Sequence, residues 1–291
     1  MESVTKSYGS TVALADFSIT VQGGTIIGLL GENGAGKTTA MRTLLGYLNA
    51  DTGSVSVLGG NPRDPAIRAR VGYLPGDFRL GSRQKVGDVL AAFDHLRGGC
   101  WADRTATLCD ALSLDPDKRF LDLSKGNRQK VGVVQALMHE PDVLVLDEPT
   151  GGLDPIAQRT VLELVDARRD DGAAVLFSSH ILSEVEDIAD SVTILRKGVK
   201  VAEGTTAELG AQAVQTIDLV LEQAPAPDLL TGLPGVTVQS LEGRKVSLVV
   251  GGSAAEALRL LAPLGIARID TGRHDLDEVF YGYYTEGGGR S

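Results

Sequence analysis

The residues best suited to chemistry lie in Gly31-Glu32-Asn33-Gly34-Ala35-Gly36-Lys37-Thr38-Thr39, which fits G-x-x-x-x-G-K-[ST]. Glycines let backbone N–H groups curl round a polyphosphate without side-chain clash. The helix that follows presents its positive N-terminal end to the same anion. Lys37 places a point charge on the β- and γ-phosphates, and the Thr38 hydroxyl can hold Mg²⁺. The chain has 36 glycines, so a Gly-rich turn alone would mean little. Lys-Thr at this offset, after an apolar strand, points to a nucleoside triphosphate without saying which one.

Leu144-Val145-Leu146-Asp147-Glu148 puts two acids at the end of another apolar strand. Asp147 would hold Mg²⁺, leaving Glu148 to orient or deprotonate an attacking water. Alone, this pair reads equally well as a solvated turn before Pro149; beside a phosphate loop the chemical reading wins. His180 ends a third apolar strand, where an imidazole could contact the γ-phosphate. His95, His139 and His274 read as structural. Ser124, in Leu123-Ser124-Lys125-Gly126-Asn127-Arg128-Gln129, is a candidate N-cap, and a capped helix N-terminus offers a second anion site. On its own that segment is only a capped helix.

These groups need a frame. Ile26–Leu30, Val143–Leu146 and Ala174–Phe177 are continuous apolar runs, suited to strands buried on both faces of a parallel sheet. Helical patterns follow at about Lys37–Leu48, Ile156–Arg169 and Ile181–Ala189. That alternation predicts an α/β fold with its ligand beyond the carboxyl ends of the strands. Residues from about 77 to 138 read as a helical subdomain, with helices at Val86–Leu96, Ala102–Leu112 and Arg128–Met138. Beyond Gly210, Pro- and Gly-rich breaks give way to alternation at Ile217, Leu219 and Leu221 and at Val246, Leu248 and Val250. With helices expected at Ser253–Leu264 and Asp275–Tyr284, this predicts a small α+β C-terminal unit.

The 291 residues carry a net charge of −10, which does not suit a general nucleic-acid binder. A hydrophobic share of 43% and a charged share of 23% fit a globular chain. No apolar run reaches the length of a membrane span, and the first residues lack an apolar secretory segment. Cys100 and Cys109 match no metal or redox spacing and read as reduced thiols. The composition predicts a soluble, intracellular chain.

Taken together, the phosphate loop, the Ser124 segment, the Asp-Glu strand, Gly151-Gly152-Leu153-Asp154 and His180 resemble the nucleotide-binding subunit of an ATP-binding cassette (ABC) transporter. The motifs occur in that family's order, with Ser124 placed 23 positions before Asp147. The resemblance covers residues 1–209, a P-loop NTPase cassette of mixed sheet plus helical subdomain. It implies two such subunits, identical or different, packed head to tail around two ATP molecules. Each ATP would touch the phosphate loop of one subunit and Ser124, Lys125, Gly126 and Asn127 of the other. By the same mapping Tyr8, in Lys6-Ser7-Tyr8-Gly9, stacks on adenine, and Asp154 communicates between the sites. ATP binding closes the pair, hydrolysis reopens it, and the subdomain pushes on an integral-membrane permease. The implied location is the cytoplasmic face of the membrane, bound through that permease.

The chain also departs from the pattern. Lys125 and Asn127 replace a Gly and a Gln of the usual Leu-Ser-Gly-Gly-Gln, and a Lys here resembles the drug- and sodium-efflux branch. Gly76 stands where the family carries Gln or Glu, so Asp77 or a water molecule would have to substitute. Similar domains begin with an extra apolar strand before Lys6–Gly9, and here only Val4 hints at one. Residues 215–291, with His274-Asp275-Leu276-Asp277-Glu278-Val279-Phe280 and Tyr283-Tyr284, resemble the accessory domain of exporter ATPases. Two other readings stand beside an exporter ATPase. A soluble ABC ATPase of translation or DNA repair would carry two cassettes or long coiled coils, which this chain lacks. A non-hydrolysing regulatory binder fits Gly76 but not Glu148 and His180.

Overall fold

The structure, a computed structural model, describes residues 1–205, 208, 214–226, 236–251 and 255–271. It divides into two compact units, Met1–Glu203 and Gly204–Ser291.

The first unit is built on strands that lack a polar face. β3 (Ile26–Leu30) and β7 (Ala174–Ser179) are buried at every position, and β6 (Val143–Asp147) at all but its first. With β5 (Val71–Leu74), β8 (Ser191–Arg196) and β9 (Val199–Gly204) they form a six-stranded sheet of order β5-β6-β7-β3-β8-β9. Pairing is parallel from β5 through β8. Lys197 (φ 47°) and Gly198 (φ 81°) then turn β8 back into β9 as a two-residue hairpin, which needs positive φ at both positions. The sheet is mixed, as the sequence predicts.

A second sheet was only hinted at. β1 (Glu2–Tyr8), β2 (Thr11–Phe17) and β4 (Thr52–Ser54) pair antiparallel in the order β2-β1-β4. Val4, Leu14 and Phe17 are fully buried beneath it, against Leu29 and Met41. The strand that Val4 suggested therefore exists, and it carries Lys6–Tyr8 itself.

Helices flank the main sheet. α1 (Lys37–Leu44) stops short of Leu48 because Gly46, at φ 70°, closes it in a Schellman motif with Gly46 N–H on Thr43 O and Tyr47 N–H on Arg42 O. A single turn, α2 (Pro65–Arg68), precedes β5. α3 (Val86–Leu96), α4 (Ala102–Ala111) and α5 (Lys125–Leu137) lie between β5 and β6 in sequence and pack on one another. Phe78 and Phe120 meet edge to face there, at 6.1 Å. α6 (Pro155–Asp170) follows β6, and α7 (Leu182–Ile188) follows β7.

In the second unit β10 (Val214–Leu221), β11 (Val236–Glu242), β12 (Lys245–Gly251) and β13 (Ile266–Thr271) form an antiparallel sheet of order β11-β12-β10-β13. Ile217 faces Leu248 and Leu219 faces Val246. These residues, with Leu221 and Val250, share one buried face with Ala257 and Leu261 of α8 (Ala255–Leu261). The helix expected at Asp275–Tyr284, with His274, lies outside the described residues.

Candidate nucleotide site

The phosphate loop leaves β3 and becomes α1 without a side-chain cap. Gly36, at φ 111°, is the N-cap; its carbonyl accepts from Ala40 N–H at 2.9 Å, but it has no side-chain oxygen for the N–H groups of Lys37, Thr38 and Thr39. Those donors are free for an external anion. A Cβ at Gly36 would lie 2.5 Å from Ala13 O, and one at Gly31 would lie 2.4 Å from Leu195 O. Only glycine fits at either place. Ala35 braces the loop, donating to Glu32 O (3.0 Å) and accepting from Gly198 N–H (2.8 Å). Thr39 O is bonded by the Thr43 hydroxyl at 2.7 Å. Asn33 and Gly34 form the exposed tip.

Lys37 is buried, and its ammonium donates to the carbonyls of Gly31 and Glu32 at the loop mouth. Burial pushes its pKa below the usual lysine value, while the charges of Glu148 and Asp147 act in the opposite direction. A desolvated ammonium of this kind is better stabilised by a polyanion than by carbonyl dipoles alone.

The strand ends converge on this lysine. Asp147 is buried and divides its oxygens: Oδ2 accepts from the Thr38 hydroxyl at 2.7 Å and Oδ1 from the Ser178 hydroxyl at 2.6 Å. Glu148 adopts φ 50°, in the left-handed region, which turns its carboxylate out of the strand. Its Oε1 lies 3.8 Å from Lys37 Nζ and 3.2 Å from His180 Nδ1. Thr38, Asp147, Lys37, Glu148 and His180, chosen for their sequence positions, are thus brought into one cluster.

The Thr38–Asp147 pair presents hard oxygen donors next to the phosphate loop. Among the described residues no group of three His, Cys, Asp or Glu forms a metal cage. Mg²⁺ does not require one, since it commonly takes one or two protein oxygens together with substrate phosphates. The donor set therefore fits Mg²⁺.

The Ser124 segment begins α5, and Ser124 Oγ accepts from Asn127 N–H at 3.2 Å, the predicted cap. Gly126 stacks on the loop after β6, where a Cβ would come within 2.6 Å of Gly152 O. The Lys125 side chain runs along Gly152. Asp154 caps α6 by accepting from Ala157 N–H at 2.9 Å, and that bond holds its carboxyl below the usual range. Tyr8 ends β1 half exposed, with Lys6 Nζ 5.8 Å from its ring centre.

Gly76 lies against Asp147: a Cβ there would stand 3.4 Å from Asp147 Cγ and Oδ2. Asp77 does not take up that position, since its carboxylate pairs with Arg79 at 2.7 Å and both are exposed. Two contributors escaped the sequence reading. Gln129, one turn into α5, donates to Glu148 O (3.0 Å) and Pro149 O (3.2 Å) and so ties α5 to the backbone that carries the Glu148 carboxylate. Ser178 bonds both Asp147 and Glu148. Neither carried a sequence signal of its own: Gln129 stands between Arg128 and Lys130, and Ser178 closes the apolar run Ala174–Phe177.

Comparison with known proteins supplies independent findings. A profile described as ABC transporter matches residues 14–151. The daunorubicin resistance ATP-binding protein DrrA3 of Streptomyces coeruleorubidus is 36% identical over 293 residues, 94% of this chain and 92% of its own. The Nod factor export ATP-binding protein I of Cupriavidus metallidurans is 35% identical over 246 residues, 80% of each chain. A solved structure described as the ATP-binding subunit of an ABC transporter superposes with a TM-score of 0.68 at 29% identity, covering 72% of this chain and 91% of its own.

Proposed function

The chain belongs to the ABC transporter family of ATP-binding proteins, and we propose that it is the ATP-hydrolysing subunit of an exporter, working as a pair on a separate membrane permease. The reading rests on one observation: Lys37 and His180 both approach Glu148 Oε1, beside the Thr38–Asp147 bond. Relatives named for daunorubicin resistance and Nod factor export support the exporter assignment.

In this mechanism the α1 N–H groups and Lys37 hold the β- and γ-phosphates of ATP, and Tyr8 stacks on its adenine. Thr38 and Asp147 would hold Mg²⁺, which when bound would neutralise phosphate charge. Glu148 takes a proton from the attacking water as that water adds to the γ-phosphorus, and ADP leaves. His180, 3.2 Å from Glu148, orients that carboxylate and faces the developing charge. Gly76 supplies no side chain, so water fills the space beside Asp147.

Ser124, Lys125, Gly126 and Asn127 act on the ATP of the second subunit. One chain carries both an intact Glu148–His180 pair and an intact Ser124–Gly126 segment, so two copies generate two complete sites. Gly126 and Gln129 connect α5 to the Asp154 loop and to Glu148, and Asp154 carries the state of one site to the other. Among the described residues no helix is long and apolar enough to cross a membrane. In this reading the span belongs to the permease, which holds the subunit at the cytoplasmic face, with no role for nucleic acid. Residues 1–209 are the motor and residues 215–291 an accessory domain.

The test mixes two inactive chains. Lys37→Ala spoils one half-site and Ser124→Ala the other, so a mixed pair keeps one intact composite site. Neither variant should turn over ATP alone, and the equimolar mixture should regain about a quarter of wild-type activity under random pairing. A mixture as inactive as its components would overturn the paired-copy reading.

A further inference from the structure

We propose that Ser178 is the positioning residue of the hydrolytic site: its single hydroxyl fixes both the metal-holding carboxylate of Asp147 and the backbone of Glu148. The proposal rests on the nucleotide-site reading above and adds a residue to it.

Asp147 and Ser178 are direct partners across the parallel β6–β7 pair. Ser178 is fully buried. Its Oγ lies 2.6 Å from Asp147 Oδ1 and 3.1 Å from the Glu148 amide nitrogen. An ionised carboxylate can only accept and an amide N–H can only donate. The hydroxyl hydrogen must therefore point at Asp147, and an Oγ lone pair at Glu148 N–H. The same N–H also reaches Ser178 O at 3.2 Å, so one serine supplies both acceptors for that amide.

The bond to Oδ1 sets the rotation of the Asp147 carboxylate and leaves Oδ2 facing the Thr38 hydroxyl, 2.7 Å away. The bonds to the amide hold Glu148 at φ 50°, a left-handed conformation that a glutamate does not favour by itself. From there its carboxylate reaches Lys37 and His180. Without the hydroxyl, a buried carboxylate oxygen loses its donor and the carboxylate is free to turn. Charge-assisted bonds of this kind correspond to roughly 10- to 100-fold in an equilibrium or a rate.

The experiment compares the full chain carrying Ser178→Ala, Ser178→Cys and Ser178→Thr. Three quantities are read: affinity for a fluorescent ATP analogue without Mg²⁺, the Mg²⁺ concentration at half-maximal turnover, and the Mg²⁺-dependent rise in Tm with a non-hydrolysable ATP analogue. Metal-free nucleotide affinity should stay within about twofold in all three, because the loop and Lys37 are untouched. In Ser178→Ala the Mg²⁺ half-saturation point should rise about tenfold or more, and the Tm rise at a fixed Mg²⁺ concentration should shrink accordingly. Ser178→Cys keeps the volume but only a weak donor, and should behave like Ser178→Ala. Ser178→Thr keeps the hydroxyl and should restore the wild-type Mg²⁺ response. If its extra methyl prevents folding, Ser178→Cys decides alone. A wild-type Mg²⁺ response in Ser178→Ala or Ser178→Cys overturns the proposal, as does a metal-free affinity that falls in step with the Mg²⁺ response. If the wild-type chain itself shows no Mg²⁺-dependent turnover, the nucleotide-site reading fails instead.

Discussion

Replacing Gly126 by Ala should separate α5 from the Asp154 loop, and the geometry gives the size of the effect. A Cβ at Gly126 would sit 2.6 Å from Gly152 O, whereas ordinary contact begins at 3.4 Å. Both sides are backbone, so the two segments must part by roughly 0.8 Å. Relieving such an overlap costs about 1–3 kcal/mol. Alanine in a helix offsets up to about 1 kcal/mol of this, leaving a net loss of roughly 0–3 kcal/mol. Turnover is the more sensitive quantity, because a displacement near 1 Å can cost about 100-fold in rate. Gly76→Ala is the control: its Cβ would lie 3.4 Å from Asp147, and its φ is not in the left-handed region. Steady-state ATPase and urea unfolding on both variants form the assay. Gly126→Ala should lose about tenfold or more in kcat with a folded protein, and Gly76→Ala should stay within about twofold. A Gly126→Ala enzyme as fast as wild type, or an equal loss in Gly76→Ala, would refute the steric reasoning.

Three further outcomes follow from the same structure. Burial, assisted by Arg97 and Arg168, lowers the His139 pKa from 6.5 to about 4, so the unfolded chain gains a proton below pH 6.5 that the folded chain refuses until about pH 4. Stability should therefore fall by about 2 kcal/mol from pH 7 to pH 5, and His139→Leu should flatten that slope in urea titrations. Gln129→Leu strands the Pro149 carbonyl and leaves Glu148 O only the Gly151 N–H, and should cost about 1–3 kcal/mol in unfolding free energy and slow turnover. A thiol reagent should modify exposed Cys100 in the native protein and reach buried Cys109, whose thiol pKa burial raises, only after unfolding.

Much of the site was legible in the sequence because its determinants are local. A strand buried on both faces declares itself as a run such as Ile26–Leu30, and a serine three residues before the amide it caps identifies Ser124. The glycines of the phosphate loop sit where backbone would collide with any Cβ. The three-stranded β2-β1-β4 sheet was harder to see, because Glu2, Lys6 and Asp16 interrupt its alternation and its core faces are completed by α1. Ser178 and Gln129 were hidden for another reason. Their roles depend on which residue a parallel crossover or a helix turn places opposite Asp147 and Glu148, and no local pattern encodes that register. The Gly76 departure was legible as a missing side chain. That its place adjoins Asp147, while Asp77 turns to Arg79, required the fold.

The central claim is that Glu148, held by Lys37 and His180, activates the water that cleaves ATP. The direct measurement is phosphate release from a single turnover of Glu148→Gln beside ATP affinity measured on the same sample. The account predicts wild-type affinity, because the loop and Lys37 are intact, and a rate of phosphate release reduced by about 100-fold or more. Phosphate release within about twofold of wild type would contradict it, and would move the proton acceptor elsewhere.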